Sequence, residues 1–204
     1  NAESVSTMHK RQTTARAAAK EATHQRIVSV AAKSIRRSGY DGTGVADIMK
    51  EAGLTHGAFY AHFASREAML AEAAGQACAE SAAVVAKVVA SAPPDRAFES
   101  MLHAYLSKAH VAQIDAGCPL AALGSETTRQ AAEVRRLITR YTKEMVDLAA
   151  RQSPDWGQPA AHERALATVA TMVGALLLAR AVDDPAFSDG LREAAIRHLL
   201  PAAS

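Results

Sequence analysis

The stretch Gly53-Leu54-Thr55-His56-Gly57-Ala58-Phe59-Tyr60-Ala61-His62-Phe63 restricts this chain more than any other. Just ahead of it, Val45, Ile48, Met49 and Ala52 recur at helical spacing. Gly53 stops that helix, and only Leu54 and Thr55 separate it from a second, short one. Helix, tight glycine turn and short helix make a helix-turn-helix pattern. Leu54, Phe59 and Phe63 are expected to face inward, while Thr55, His56, Tyr60 and His62 offer hydrogen-bonding groups outside. Thr55 suits the N-cap position. Gly57 and Ala58 keep the first turn slim, and a short helix of that shape fits a DNA major groove.

The remaining sequence reads as helix throughout. Ile27, Val28, Ala31 and Ile35 form one apolar stripe. Arg36 and Arg37 suit the C-terminal end of that helix, and Gly39 supplies its left-handed stop. Ser65 caps a helix expected to run unbroken to about Ala90, before Pro93 and Pro94. Further helices are expected at about 94–113, 119–126, 129–152, 160–182 and 185–200, placed by the Gly and Pro separators between them. Apolar residues make up 49% of the chain but aromatic ones only 4%, which favours alanine-rich helices over strands. With no strand pattern and no repeat, the expected fold class is all-α. It divides into a basic, flexible arm at 1–20, a three-helix domain at 21–66 and a helical remainder at 67–204, reached through the long helix.

Charge supports an anionic partner at one end. Residues 1–66 carry 10 Lys and Arg against 5 Asp and Glu, and residues 67–204 carry 13 against 16. A basic first third on an acidic remainder is the footprint of a surface that meets phosphates. Lys10, Arg11, Arg16 and Lys20 in the arm could touch a DNA backbone or minor groove, or simply be solvated. Two cysteines, Cys78 and Cys118, are too few for a disulfide framework. The longest uncharged apolar stretch, Ala165 to Ala179, is shorter than the ~20 residues of a membrane-spanning helix. A cytoplasmic protein with no membrane partner is expected.

The segment Arg26–Leu70 resembles the DNA-binding domain of the TetR/AcrR family of bacterial transcription regulators. The matching residues are Ile27, Ala31-Ala32, Gly39-Tyr40, Thr43, Val45, Asp47-Ile48, Ala52-Gly53-Leu54, Gly57, Phe59-Tyr60, His62-Phe63, Ser65, Glu67 and Leu70. Gly44 stands where the family prefers a Ser or Thr cap, and Arg66 where it commonly has Lys. The resemblance implies a homodimer on double-stranded, palindromic operator DNA, most often a repressor, with an all-α C-terminal domain that dimerises and binds a small-molecule effector. It also implies that Thr43, Tyr60, His62 and Arg66 hold phosphates, while Thr55, His56, Gly57 and Ala58 lie nearest the bases. Gly117-Cys118-Pro119-Leu120-Ala121-Ala122-Leu123 is similar to a segment of a subgroup that includes regulators responding to electrophiles such as N-ethylmaleimide.

Candidate sites in the second half rest on spacing. Pro119 after Cys118 makes the thiol a helix N-cap, where the helix dipole favours the thiolate, so Cys118 is a candidate sensor. The alternative is a buried, inert thiol, the reading preferred for Cys78. Phe98, Met101, Leu102, Tyr105, Leu137 and Tyr141 recur at helical spacing and could line an apolar ligand pocket or a plain core. The helix near 160–182 is apolar nearly all round, so Leu166, Val169, Met172, Val173, Leu176 and Leu177 are candidates for the dimer interface. With the last helix it would build a four-helix bundle across a two-fold axis. His103 and His110 sit about two turns apart, roughly 10 Å, too far to share one metal ion. No cofactor motif and no paired acid and base appear. The competing readings are a ligand-binding protein without an operator and an all-α enzyme using Cys118.

Overall fold

Helix α1 (Ala2–Ser38) starts far ahead of the expected position, so the arm is drawn as its continuation. The computed structural model describes residues 2–153 and 155–200, with side chains from Thr14 onward. Asn1 and the side chains of Lys10 and Arg11 therefore lie outside the described residues, whereas Arg16 and Lys20 are exposed on α1. Gly39, at φ +77°, ends the helix by donating its N–H to the Ile35 carbonyl. Only a residue without Cβ adopts that backbone freely.

Helix α2 (Val45–Glu51) follows, with Gly44 as a cap that makes no side-chain bond. It stops at Gly53, φ +71°, where Leu54 N–H reaches Met49 O at 2.8 Å and Gly53 N–H reaches Lys50 O at 3.0 Å. That pair of bonds is a Schellman motif. A 3-10 helix, His56–Ala61, comes next. Ser65 then caps α3 (Arg66–Ser91), its hydroxyl accepting from Ala68 N–H at 3.1 Å.

The expected helix at 94–113 is broken in two. After a 3-10 turn at Pro94–Arg96, α4 (Ala97–Tyr105) ends and α5 (Lys108–Ala112) begins with Ser107 as its cap. The Ser107 hydroxyl accepts from His110 N–H at 3.1 Å, and the buried Arg192 donates to the Leu106 carbonyl freed at the break. Serine competes with helix propagation in this way. The rest follows expectation within a few residues: α6 (Pro119–Thr127), α7 (Ala132–Ala150), α8 (Pro159–Ala181) and α9 (Pro185–Leu199). Asp184 caps α9 by accepting from Ala186 and Phe187 N–H. Among the described residues there is no strand, and the fold is all-α.

Two apolar clusters divide the interior, and the first of them crosses a boundary drawn at residue 66. The first joins α1, α2 and the 3-10 helix to α3 as far as Ala77, and is closed by Leu123 of α6 and Val134 of α7. The second is built from Cys78 onward and from α4, α6, α7, α8 and α9. α3 belongs to both, so it is a shared beam and not merely a linker. By length and hydropathy, α3 and α8 could each cross a bilayer, which the uncharged-stretch argument alone had excluded. Here their buried residues are packed into these clusters.

Candidate functional site

The 3-10 helix is pinned from beneath and bare on top. Phe59 and Phe63 are buried and stacked at 5.4 Å, and His24 of α1 stacks on Phe63 at 4.5 Å. Above them Thr55, His56 and Gly57 are exposed and Tyr60 is 71% exposed, its ring edge-on to Phe59 at 5.2 Å. Ala58 is half-buried. Thr55 occupies the N-cap but makes no cap bond, which leaves its hydroxyl for a partner. Gly57 has open space where a Cβ would point. A slim, polar edge on a rigid base is what groove entry requires.

Two of the residues carried over as phosphate ligands are committed elsewhere. Thr43 is 0% exposed, and its hydroxyl donates to Gly39 O at 2.7 Å and lies 3.3 Å from Ser34 Oγ. It locks the α1–α2 turn from inside and cannot meet a phosphate. Arg66 points the same way: Nη2 donates to the carbonyls of Tyr40 and Thr43, and Nε donates to Thr43 O at 3.3 Å. The half-buried guanidinium braces the turn. Tyr60 and His62 remain as surface candidates.

His62 has an environment that its sequence position did not reveal. Its Nδ1 is buried without a hydrogen bond, and its ring lies 6.0 Å from that of His24. Burial, then the neighbouring His24 and Lys20, hold its pKa below the ordinary histidine value. His24 itself is half-buried, with Nε2 2.6 Å from Glu72 Oε2.

In the second half, Cys118 is indeed the N-cap of α6, but its side chain makes no cap bond and is 0% exposed. The candidate sensor thiol therefore sits in the core, as the buried alternative has it, 3.5 Å from Tyr141 Oη. Tyr141 Oη in turn lies 2.8 Å from Ser81 Oγ. Cys78 is also buried, which pushes its thiol up to about 12. His110 is held neutral by its bonds, Nδ1 donating to Tyr105 O at 2.6 Å and Nε2 accepting from Cys118 N–H at 3.0 Å. Burial first, and Arg180 as well, lower its pKa, while the Tyr105 carbonyl works against them. Phe98, Met101, Leu102, Tyr105 and Tyr141 do gather in the second cluster. Leu137 does not; it packs against the first cluster near Gly75, so it leaves the candidate pocket.

The candidate dimer face also needs correction. Val169, Met172 and Leu176 are buried within their own protomer, where the inner stripe of α8 meets α6, α7 and α9. Leu166 and Leu177 point out, as do Leu178 and Phe187, and Val173 is half-buried. A helix that is apolar all round carries two stripes, and sequence does not say which of them is internal.

Sequence reasoning also passed over three charged residues that tie the molecule together. Arg36, with a fully buried side chain, donates Nη2 to Glu80 Oε2 at 2.6 Å and Nε to Ala32 O at 3.0 Å, with Gly117 O at 3.5 Å from Nη1. Its spacing of four from buried Ala32 was the available signal. Glu126, on α6, accepts Tyr40 N–H at 2.9 Å, just past the end of α1. Arg180 closes the uncharged run of α8.

Residues 27–73 match the family profile described as bacterial regulatory proteins, tetR family. Residues 94–192 match the transcriptional regulator LmrA/YxaF-like C-terminal domain. An uncharacterized HTH-type transcriptional regulator of Mycobacterium tuberculosis is 28% identical over 165 residues, covering 76% of this chain and 83% of that protein. Among solved structures, a TetR transcriptional regulator from Chloroflexus aurantiacus superposes with a TM-score of 0.74 at 25% identity, over 88% of this chain and 93% of that one. Reduced Escherichia coli NemR superposes at 0.72 and 18% identity, over 89% and 99%. With one profile on the helix-turn-helix and the other on the helices beyond it, the chain belongs to the TetR family of bacterial regulatory proteins.

Proposed function

We propose that this protein is a homodimeric repressor that binds a palindromic operator and is released from it by a small molecule. The observation that carries this reading is the exposed edge Thr55, His56, Gly57 and Tyr60 held on the buried Phe59–Phe63 base. In a dimer formed through Leu166, Leu177, Leu178 and Phe187, two such edges would stand about one DNA turn apart, roughly 34–36 Å. An effector that favours another spacing lowers DNA affinity by its own difference in affinity for the two states. Release by alkylation or oxidation of Cys118 requires α6 to open first, because the thiol is in the core; a ligand seated among the helices does not.

Exposed on that edge, Tyr60 is our phosphate contact, and Tyr60→Ala is expected to weaken operator binding about tenfold, the loss of one good hydrogen bond and its packing. Fluorescence anisotropy with DNA flanking the gene checks it, and binding should fall steeply as salt rises. Unchanged affinity in Tyr60→Ala, or no salt dependence, defeats the assignment.

A phosphate beside His62 would reverse the forces that depress its pKa. The groups facing it in the free protein are Lys20 and His24 on α1, with Glu72 of α3 bound to His24. Free protein therefore keeps His62 neutral near pH 7, whereas bound DNA favours the imidazolium, so binding takes up a proton. Affinity should rise as pH falls from about 7.5 to 6. The same titration with His62→Gln should be flatter; an identical slope would remove His62 from the contact.

A further inference from the structure

Arg180, in the last turn of α8, is a cation whose hydrogen bonds go to backbone carbonyls and not to a carboxylate. Nε donates to Val111 O at 3.3 Å, and Nη2 donates to His110 O at 2.6 Å and Gln113 O at 3.4 Å. These bonds fasten the end of α5. Nη1 is buried and makes no hydrogen bond. A Cβ on Gly117 would stand 2.5 Å from Nη2, so the guanidinium lies directly against the backbone that leads into Cys118.

Tyr105 of α4 stands beside the same backbone, near enough to both Arg180 and Cys118 for their charges to act on it. It is 2% exposed, its ring is edge-on to His110 at 4.9 Å, and its hydroxyl faces the Cys118 thiol without completing a well-formed hydrogen bond. Burial, with the adjoining Cys118 next, raises the phenol well above its ordinary pKa, so it stays a donor. Met101, Leu102, Leu106 and Met172 supply apolar surroundings in the same cluster.

Unpaired donors inside a core are expensive, and a charged one more so. Here two of them, from α4 and α8, flank the start of α6. An anion with two oxygens set between them would satisfy both, and an apolar body would suit the walls. We propose that Arg180 and Tyr105 form the carboxylate end of a ligand site that takes a small organic monocarboxylate into the C-terminal core. The inference rests on the reading that this half of the chain binds the effector, and it adds the effector's chemical class.

Calorimetric titration of the full-length protein without DNA tests it, using benzoate, acetate and nitrate at constant ionic strength. Benzoate is expected to bind saturably, with nitrate much weaker. Arg180→Gln and Tyr105→Phe should each weaken benzoate at least tenfold. Because Arg180→Gln also frees the end of α5, Tyr105→Phe is the decisive variant. Removing an unpaired buried hydroxyl should raise its ligand-free Tm by about 2–4 °C, while the benzoate-induced rise disappears. Saturable binding that Tyr105→Phe leaves unchanged, nitrate matching benzoate, a lower ligand-free Tm in Tyr105→Phe, or no carboxylate binding would each overturn the proposal. Parent protein that fails to bind operator DNA yet binds benzoate would reject the repressor reading and leave this site standing.

Discussion

Glu80→Ala is expected to lower the unfolding free energy by about 3–5 kcal/mol, the range for stranding a buried charge. The Arg36 side chain is fully buried, and its Nη2 rests on Glu80 Oε2 at 2.6 Å. Without Glu80 the guanidinium keeps only carbonyl partners, at Ala32 and Gly117. Arg36→Met should cost far less, under about 2 kcal/mol, because it leaves a Glu80 carboxylate that is already one-third exposed and can hydrate. Denaturant unfolding of both variants measures the asymmetry. Equal losses would mean that the pair contributes through packing and not through the buried charge.

The second large effect is at Phe59. Phe59→Ala removes a ring that is 2% exposed and touches both Phe63 and Tyr60, and is expected to cost about 3–5 kcal/mol. The short 3-10 helix above it is tied at its ends by Ala58 N–H to Thr55 O and His62 N–H to Phe59 O, and it rests on this ring. Operator affinity should therefore collapse along with stability. Tyr60→Ala provides the contrast, since an exposed side chain costs no more than about 0.5 kcal/mol of stability while DNA binding still weakens. Phe59→Ala protein that unfolds at the parent's denaturant midpoint would show that the ring is not the anchor.

The helix-turn-helix was legible because its signals are local. Gly39 and Gly53 stop helices through their own φ angles, Ser65 caps through its own hydroxyl, and Phe59 and Phe63 declare the inner face. The roles of Thr43 and Arg66 were not legible, because the family motif gives a position on the chain and not the direction of a side chain. Both stand beside the DNA-facing edge, yet both turn inward to bond the carbonyls of 39–43. The break at Ser107 is similar: serine permits it locally, but Arg192, eighty-six positions from Leu106, completes it. Cys118 was placed correctly on the chain as a cap, while its burial depends on α4, α7 and α8 closing over it. Charge gave the polarity of the molecule, but not that Arg36 and Arg66 spend their charge inside it.

Helix α6 reaches both ends of this arrangement. It starts at Cys118, beside Arg180 and His110, and ends with Glu126 holding the amide of Tyr40. The fit there is close, since a Cβ on Gly39 would stand 2.5 Å from Glu126 Oε1. Leu123, between the two, sits in the cluster under the helix-turn-helix. For anyone building chimeric regulators, the practical seam is therefore not the end of α3. A graft that takes residues 1–91 onto a foreign effector domain leaves the Tyr40 amide and the Leu123 socket empty. One that transfers α6 together with the reading head keeps the Glu126–Tyr40 bond and the Leu123 contact as a single cassette.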